Sequence, residues 1–121
     1  MKLGRKISGG KYRPHRKKKK HELIRPARVV KLKEEKKKVL RTRGGNKKLV
    51  LLGGNKINVF DLKSKKSKVV EIKNVIETPS NKFLARQNII TKGAVIETEL
   101  GNVKVTNRPG QEGIIQGIVL Q

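Results

Sequence analysis

Residues 67–77, "SKVVEIKNVIE", carry the clearest structural signal in the chain. Val70, Ile72 and Ile76 lie at even positions, and the charged residues Glu71, Lys73 and Glu77 lie at odd positions. A period of two is typical of a β-strand that turns one face to the protein core and the other to water. We therefore predict a half-buried strand here, with Val70, Ile72 and Ile76 facing inward.

Similar segments lie on both sides of this strand and are separated by turn-forming residues. Gly, Asn, Ser and Pro dominate the connections, and Leu100–Asn102 is predicted to be a tight hairpin turn. About six short strands at close spacing predict an all-β fold, a small closed antiparallel barrel. The further predicted strands are "LVLL" (49–52), "INVFDL" (57–62), "AVIETEL" (94–100), "NVKVTN" (102–107) and "IIQGIVL" (114–120).

The charge is large and unevenly distributed. The 121 residues carry a formal net charge of +23, and residues 1–48 hold 21 of the 32 Lys and Arg but only three of the nine acidic residues. Such a charge indicates a polyanionic partner, either nucleic acid or an acidic membrane surface. We assign residues 1–40 to a basic RNA-binding arm, extended or disordered without RNA, and residues 41–121 to the β-barrel domain. Within the arm, residues 31–40 also permit a helical turn, because Lys follows Glu34 and Glu35 at helical spacing.

Several classes of function find no support in the sequence. No apolar stretch approaches the roughly 18 residues that span a bilayer, and no signal-peptide core is present, so a soluble intracellular protein is expected. Cysteine is absent and His occurs twice, which disfavours a zinc site, and no cofactor motif appears. Glu97 and Glu99 form a conceivable catalytic pair, but a solvated strand face explains them better. We therefore expect no enzymatic activity.

The segment "GRKISGGKYRPHRKKKKHE" (4–22) is suited to binding phosphates. Its Lys and Arg can displace counterions from a nucleic acid. Arg13 and Arg16 can also form bidentate hydrogen bonds with phosphates or stack on bases. Gly9 and Gly10 allow either a sharp turn or a close backbone approach to a phosphate. A solubilising or nuclear-targeting tail is the alternative interpretation.

The tetrapeptide Gly-Gly-Asn-Lys occurs twice, in different surroundings. In "RTRGGNKK" (41–48), Arg41 and Arg43 would project from one face of an extended strand, and the glycines would expose backbone N–H groups to an anion. A plain hairpin turn is the alternative there. The second copy, residues 53–56, lies between two apolar strands, and we predict a plain hairpin turn in which Gly and Asn adopt positive φ.

The few aromatic residues narrow the type of nucleic-acid contact. Tyr12, Phe60 and Phe83 are the only ones, too few for a stacking platform as well as a core. Readout through phosphates, 2′-hydroxyls and shape is therefore expected, which favours a folded RNA. A basic chromatin protein that compacts DNA remains the alternative.

The chain resembles a known family in the basic segment of residues 4–23, in "RTRGGNKK" (41–48) and in "ARQNIITKGAVIETELGNVKVTNRPGQEG" (85–113). These segments are similar to small-subunit ribosomal protein eight of the eukaryotic and archaeal type, in its archaeal form. Thr78 is a departure, because Asn is expected before the proline. The resemblance implies a cytoplasmic constituent of the small ribosomal subunit, with a β-barrel body and a basic arm. Its implied partners are ribosomal RNA and other small-subunit proteins, with no membrane and no small-molecule substrate.

Charge and resemblance together give one set of candidate RNA-binding residues. Within the basic arm they are Arg5, Lys6, Ser8, Gly9, Gly10, Lys11, Arg13, His15, Arg16, Lys17, Lys18, Lys19, Lys20, Arg25 and Arg28. In the second motif they are Arg41, Thr42, Arg43, Gly44, Gly45, Asn46, Lys47 and Lys48.

Overall fold

A computed structural model describes residues 4–13, 15–24 and 26–120, and strands dominate it. The strands are β1 (Lys36–Arg41), β2 (Lys47–Gly53), β3 (Lys56–Asp61), β4 (Lys66–Glu77), β5 (Val95–Thr98), β6 (Gly101–Val105) and β7 (Gln116–Val119). Two short helices, α1 (Lys82–Arg86) and α2 (Pro109–Glu112), and a 3₁₀ turn (Arg43–Gly45) complete the fold. None of the helices in these ranges is long and apolar enough to cross a membrane.

Strands β3 to β7 form a closed barrel, which confirms the predicted fold class. Neighbours in sequence pair antiparallel, from β3 through to β7. The barrel closes by parallel pairing of β3 with β7, where Asn58 lies opposite Gln116. The barrel thus has five strands and one parallel pair, instead of about six strands paired antiparallel throughout.

The predicted strand 49–52 lies outside the barrel, in a two-stranded sheet of β1 and β2. Val39 of β1 pairs with Leu49 of β2. Strand β1 occupies part of the segment for which the sequence also permits a helical turn. Val50 and Leu51 of β2 are buried, so this sheet is attached to the core by its second strand.

Among the described residues, the hydrophobic core consists of aliphatic side chains only. Ile57 and Val59 of β3 point inward, and Phe60 on the same strand faces outward, as the alternation predicts. Val30 also belongs to the core, and its carbonyl accepts the N–H of Ile90 at 2.8 Å. The folded body therefore begins before residue 41.

The predicted inward position of Ile76 is wrong. The pairing of β4 with β5 shifts register between Ile72 and Asn74 and again between Val75 and Glu77. Each irregularity inserts a residue and changes which face follows. As a result Val75 is buried and Ile76 is about half exposed.

The tight turn near Leu100 is confirmed, one residue earlier than predicted. Thr98 pairs with Gly101, so Glu99 and Leu100 form the two-residue connection between β5 and β6. The hydroxyl of Thr98 donates to the carbonyl of Gly101 at 2.9 Å. Leu100 follows Ile96 and Thr98 at a spacing of two, but it is exposed because the strand ends before it.

The hairpin predicted at residues 53–56 is wrong. This segment joins β2 to β3, which lie in different sheets, and φ is not positive at Gly53, Gly54 or Asn55. The glycines are needed for close packing instead. A Cβ at Gly53 would lie 3.0 Å from the carbonyl oxygen of Glu34, and one at Gly54 would lie 3.0 Å from a methyl group of Leu51.

Candidate nucleic-acid interface

The first basic segment folds back on itself at Gly9. The Lys6 N–H donates to the Gly10 carbonyl at 2.9 Å, and the Arg5 guanidinium donates to the Gly9 carbonyl at 3.0 Å. Gly9 has φ +77°, a conformation that a side chain would strain. Arg5 and Lys11 pair across the turn, so this loop presents its cations at its two ends. All of its residues are exposed.

A carboxylate organises the second basic loop. The Arg16 guanidinium donates two hydrogen bonds to Glu22, at 2.8 and 2.6 Å, and the Lys19 N–H donates a third at 2.9 Å. Arg16 first, and then the Lys19 N–H, hold the pKa of Glu22 below its ordinary value. We call residues 16–22 the Glu22 loop; it presents the exposed run Lys17–Lys20 to solvent.

The third basic loop connects β1 to β2. Gly44 and Gly45 have φ +73° and +77°, and the Thr42 N–H and hydroxyl both donate to the carbonyl of Asn46, at 2.7 and 2.9 Å. The loop is therefore a hairpin turn that requires its glycines. Arg41 ends β1, whereas Arg43 lies in the 3₁₀ turn. The prediction that both arginines alternate on one strand face is wrong, because the strand ends before Arg43.

The candidate residues differ in how available they are for a ligand. Arg16 already holds a carboxylate, and Lys48 is half-buried, with its ammonium donating to the side-chain oxygen of Gln111. Arg28 is exposed and its backbone packs against Gly110 of α2. Arg25 lies outside the described residues. The other candidates are exposed.

Within the described part of the chain, residues 4–24 make no hydrogen bond or ion pair with the folded body. Among the described residues, the hydrogen bonds and ion pairs of residues 4–24 are all made within that segment. The Gly9 turn, the Glu22 loop and the β1–β2 hairpin are thus three separate cationic loops, each closed by its own contacts.

The β3–β4 hairpin adds cations that the sequence analysis did not include. Asp61 accepts the Lys63 N–H at 2.9 Å and the Ser64 hydroxyl at 2.8 Å. Ser64 first, and then the Lys63 N–H, keep the pKa of Asp61 below its ordinary value. The carboxylate thereby shapes a turn with Lys63, Lys65 and Lys66 exposed. In the sequence, this cationic turn is indicated by the lysine-rich run "KSKKSK" (63–68) between two predicted strands.

The described residues contain no group of three or more His, Asp or Glu placed to hold a metal ion. Glu97 and Glu99 are both exposed, Glu97 on β5 and Glu99 in the turn that follows. The three aromatic residues are all at least one-third exposed, since the core uses none of them: Tyr12, Phe60 and Phe83.

A small closed barrel with several exposed cationic loops and a charge of +23 is typical of nucleic-acid-binding proteins. The family model described as Ribosomal protein S8e matches residues 1–120, and the chain belongs to that family.

Archaeal relatives match over nearly their whole lengths. A protein from Staphylothermus marinus is 48% identical over 97% of this chain and 92% of its own, and one from Methanococcus aeolicus is 49% identical over 96% and 91%. A third, from Nanoarchaeum equitans, is 43% identical over 97% and 92%. Each carries the name small ribosomal subunit protein eS8.

Proposed function

We propose that this protein is a structural, non-catalytic constituent of the small ribosomal subunit, where it binds and stabilises folded ribosomal RNA. The family match over residues 1–120 carries this proposal. The names of the archaeal relatives place them in the small subunit. As a ribosomal component the protein would be found in the cytoplasm, among RNA and other small-subunit proteins.

The chemistry of binding is charge neutralisation by loops of defined shape. Where RNA helices pack together their phosphates repel, and cations at that junction lower the repulsion. The Gly9 turn, the Glu22 loop and the β1–β2 hairpin each hold Lys or Arg in a limited set of positions, which reduces the entropy lost on binding. Of the arm proposed at residues 1–40, the part before Val30 becomes ordered against RNA, while the folded body from Val30 onward is rigid already.

Sedimentation of the subunits tests the proposal directly. The tagged protein, expressed in its own organism, is expected to travel with small subunits through a sucrose gradient at high salt. Complete release at moderate salt would contradict a role as a constituent and would leave only loose polyanion binding. Large subunits in the same gradient serve as the control.

A competition titration separates RNA binding from DNA compaction. At matched salt, labelled small-subunit ribosomal RNA is expected to be displaced by the same unlabelled RNA at far lower concentration than by duplex DNA. Equal competition by duplex DNA would favour the chromatin alternative.

A further inference from the structure

A cavity of about 480 Å³ lies between the end of β4 and helix α1, away from the three cationic loops. After β4 ends, the carbonyl of Thr78 accepts the Asn81 N–H at 3.0 Å. Asn81 in turn caps α1, because its side-chain oxygen accepts the Phe83 N–H at 2.9 Å. These two bonds form the turn after β4 and set the residue at which α1 begins. We call the cavity between the two elements the β4–α1 cavity.

Thr78 gives this cavity an unpaired polar group. Its side chain is fully buried, and its hydroxyl has no hydrogen-bond partner among the described residues. Buried hydroxyls are normally paired, since an unpaired one loses its hydration without compensation. Thr78 lines the β4–α1 cavity, so a ligand there can supply the missing partner.

The rest of the lining combines amide, carboxylate, apolar and cationic groups. Asn74 and Asn88 contribute amides, Ile76 an apolar surface and Glu77 a carboxylate. Asn88 has φ +51°, a backbone conformation that non-glycine residues adopt mainly where the structure requires it. Such a mixture can contact both the flat face and the polar edge of a nucleobase.

Two cations lie at the α1 side of the cavity, and one of them has an aromatic ring as its neighbour outside the lining. Lys82 and Arg86 both line it and both are exposed. The Arg86 guanidinium lies 5.8 Å from the centre of the Phe83 ring, which is 68% exposed. A guanidinium held over a ring offers a flat, charged surface on which a base can stack.

We infer that the β4–α1 cavity binds a single unpaired nucleotide of the folded RNA. Its base stacks on the Arg86–Phe83 pair and hydrogen-bonds to Thr78, while its phosphate contacts Lys82. The positive charge on α1 suits a nucleotide better than an apolar peptide segment, and the volume lies within the usual range for small-ligand sites. This inference rests on the proposed function and adds a base-contacting site to it.

Photocrosslinking locates the nucleotide. Small-subunit ribosomal RNA of the same organism, transcribed with 4-thiouridine, is bound to the full-length protein, irradiated and digested. Trypsin releases residues 83–86 as one peptide and residues 57–63, which contain Phe60, as another. We expect a nucleotide adduct on the first peptide and none on the control peptide.

Affinity measurements test the side chains one at a time. Phe83→Leu should weaken binding to the same RNA about tenfold through lost stacking, with an unchanged salt slope. Lys82→Gln should weaken binding and reduce the salt slope by about one, because Lys82 is the phosphate contact of the proposed site. Lys104→Gln on β6 removes the same charge from an exposed site outside the cavity and should leave the salt slope unchanged.

Thr78→Val separates a ligand contact from a structural role. The substitution removes an unpaired buried hydroxyl and keeps the side-chain shape, so the free protein should unfold at a higher temperature. RNA affinity should nevertheless fall a few-fold. A more stable variant with unchanged affinity would show that the hydroxyl contacts no nucleotide.

The results distinguish the two proposals. If the unaltered protein fails to bind ribosomal RNA more tightly than duplex DNA, the proposed function itself fails. If it binds well, but all three cavity variants bind equally well and residues 83–86 carry no adduct, only the nucleotide site is overturned. A crosslink in assembled subunits from residues 83–86 to another protein would also overturn it.

Discussion

Glu22 is the only acidic side chain before residue 34, and it organises the most basic loop of the chain. Its carboxylate accepts from both the Arg16 guanidinium and the Lys19 N–H. One negative charge therefore holds the run Lys17–Lys20 in a defined loop, which the cations alone would push apart.

Acid should open the Glu22 loop. Because the pKa of Glu22 is lower in the loop than in an open chain, its contribution is complete above the ordinary glutamate pKa and is lost as pH falls through the lowered value. The Arg16 side-chain N–H signal in NMR should report this transition. The transition should vanish in Glu22→Gln and persist in the control Glu97→Gln. An acid transition of Arg16 that survives Glu22→Gln would contradict the assignment.

Individual residues show what alternation can and cannot predict. Ile57 and Val59 share one face, as the period of two in residues 57–62 indicates, because β3 is a regular strand between two partners. Ile76 does not lie on its predicted face, because the register shifts of β4 depend on its pairing with β5, which its own sequence does not reveal. A period of two identifies the strand but not the position of its irregularities.

Among the secondary-structure elements, most strands can be predicted from their own residues, but one depends on its partner strand. Six strands follow from patterns in their own residues, while β1, with the sequence "KKKVLR", has almost no apolar alternation. It forms a strand because its backbone pairs antiparallel with the edge of β2 and its side chains pack against their cross-strand partners.

The two Gly-Gly-Asn-Lys copies likewise differ through their surroundings: the first closes the β1–β2 hairpin, and the second connects strands of two different sheets. The amino-acid sequence predicts the basic segments, because each is continuous in the chain. It does not predict the β4–α1 cavity, because the position of α1 beside β4 depends on the folded structure.

The β1–β2 hairpin should contribute two phosphate contacts. Replacing Arg41 and Arg43 together with Ala should weaken binding to small-subunit ribosomal RNA and reduce the slope of log K against log salt by between about one and two. The control removes two exposed cations elsewhere, Lys92 and Lys104, and should change the slope less. A slope equal to that of the unaltered protein would count against RNA contact at this hairpin.

Gly117 controls closure of the barrel. It lies on β7 between β3 and β6, and a Cβ there would lie 2.5 Å from a methyl group of Val103 and 2.9 Å from the carbonyl of Lys104. Gly117→Ala should therefore reduce the free energy of unfolding by about 3 kcal/mol, measured by urea denaturation. Gly10→Ala, where the nearest atom would lie at 3.7 Å, should leave it unchanged. Equal stability of both variants would show that the barrel relaxes around the added methyl group.

At the scale of the whole molecule, charge and apolar burial are separated along the chain. Residues 1–48 hold 21 of the 32 basic side chains, whereas most of the aliphatic core comes from Ile57 onward. The arm therefore gains stability chiefly from a polyanion, and the barrel chiefly from its own interior. The two parts should respond differently to RNA.

Limited proteolysis measures that difference. In the free protein, trypsin should cut first within residues 5–24, where Lys and Arg are exposed and all polar contacts are local, and should leave the barrel intact. Saturation with small-subunit ribosomal RNA should slow these cuts by orders of magnitude, because bound cations are no longer available to the protease. Duplex DNA at the same salt is the control for general polyanion shielding and should protect less. If cleavage within residues 5–24 is as fast in the RNA complex as in the free chain, the arm makes no stable contact with RNA and the barrel alone carries the binding.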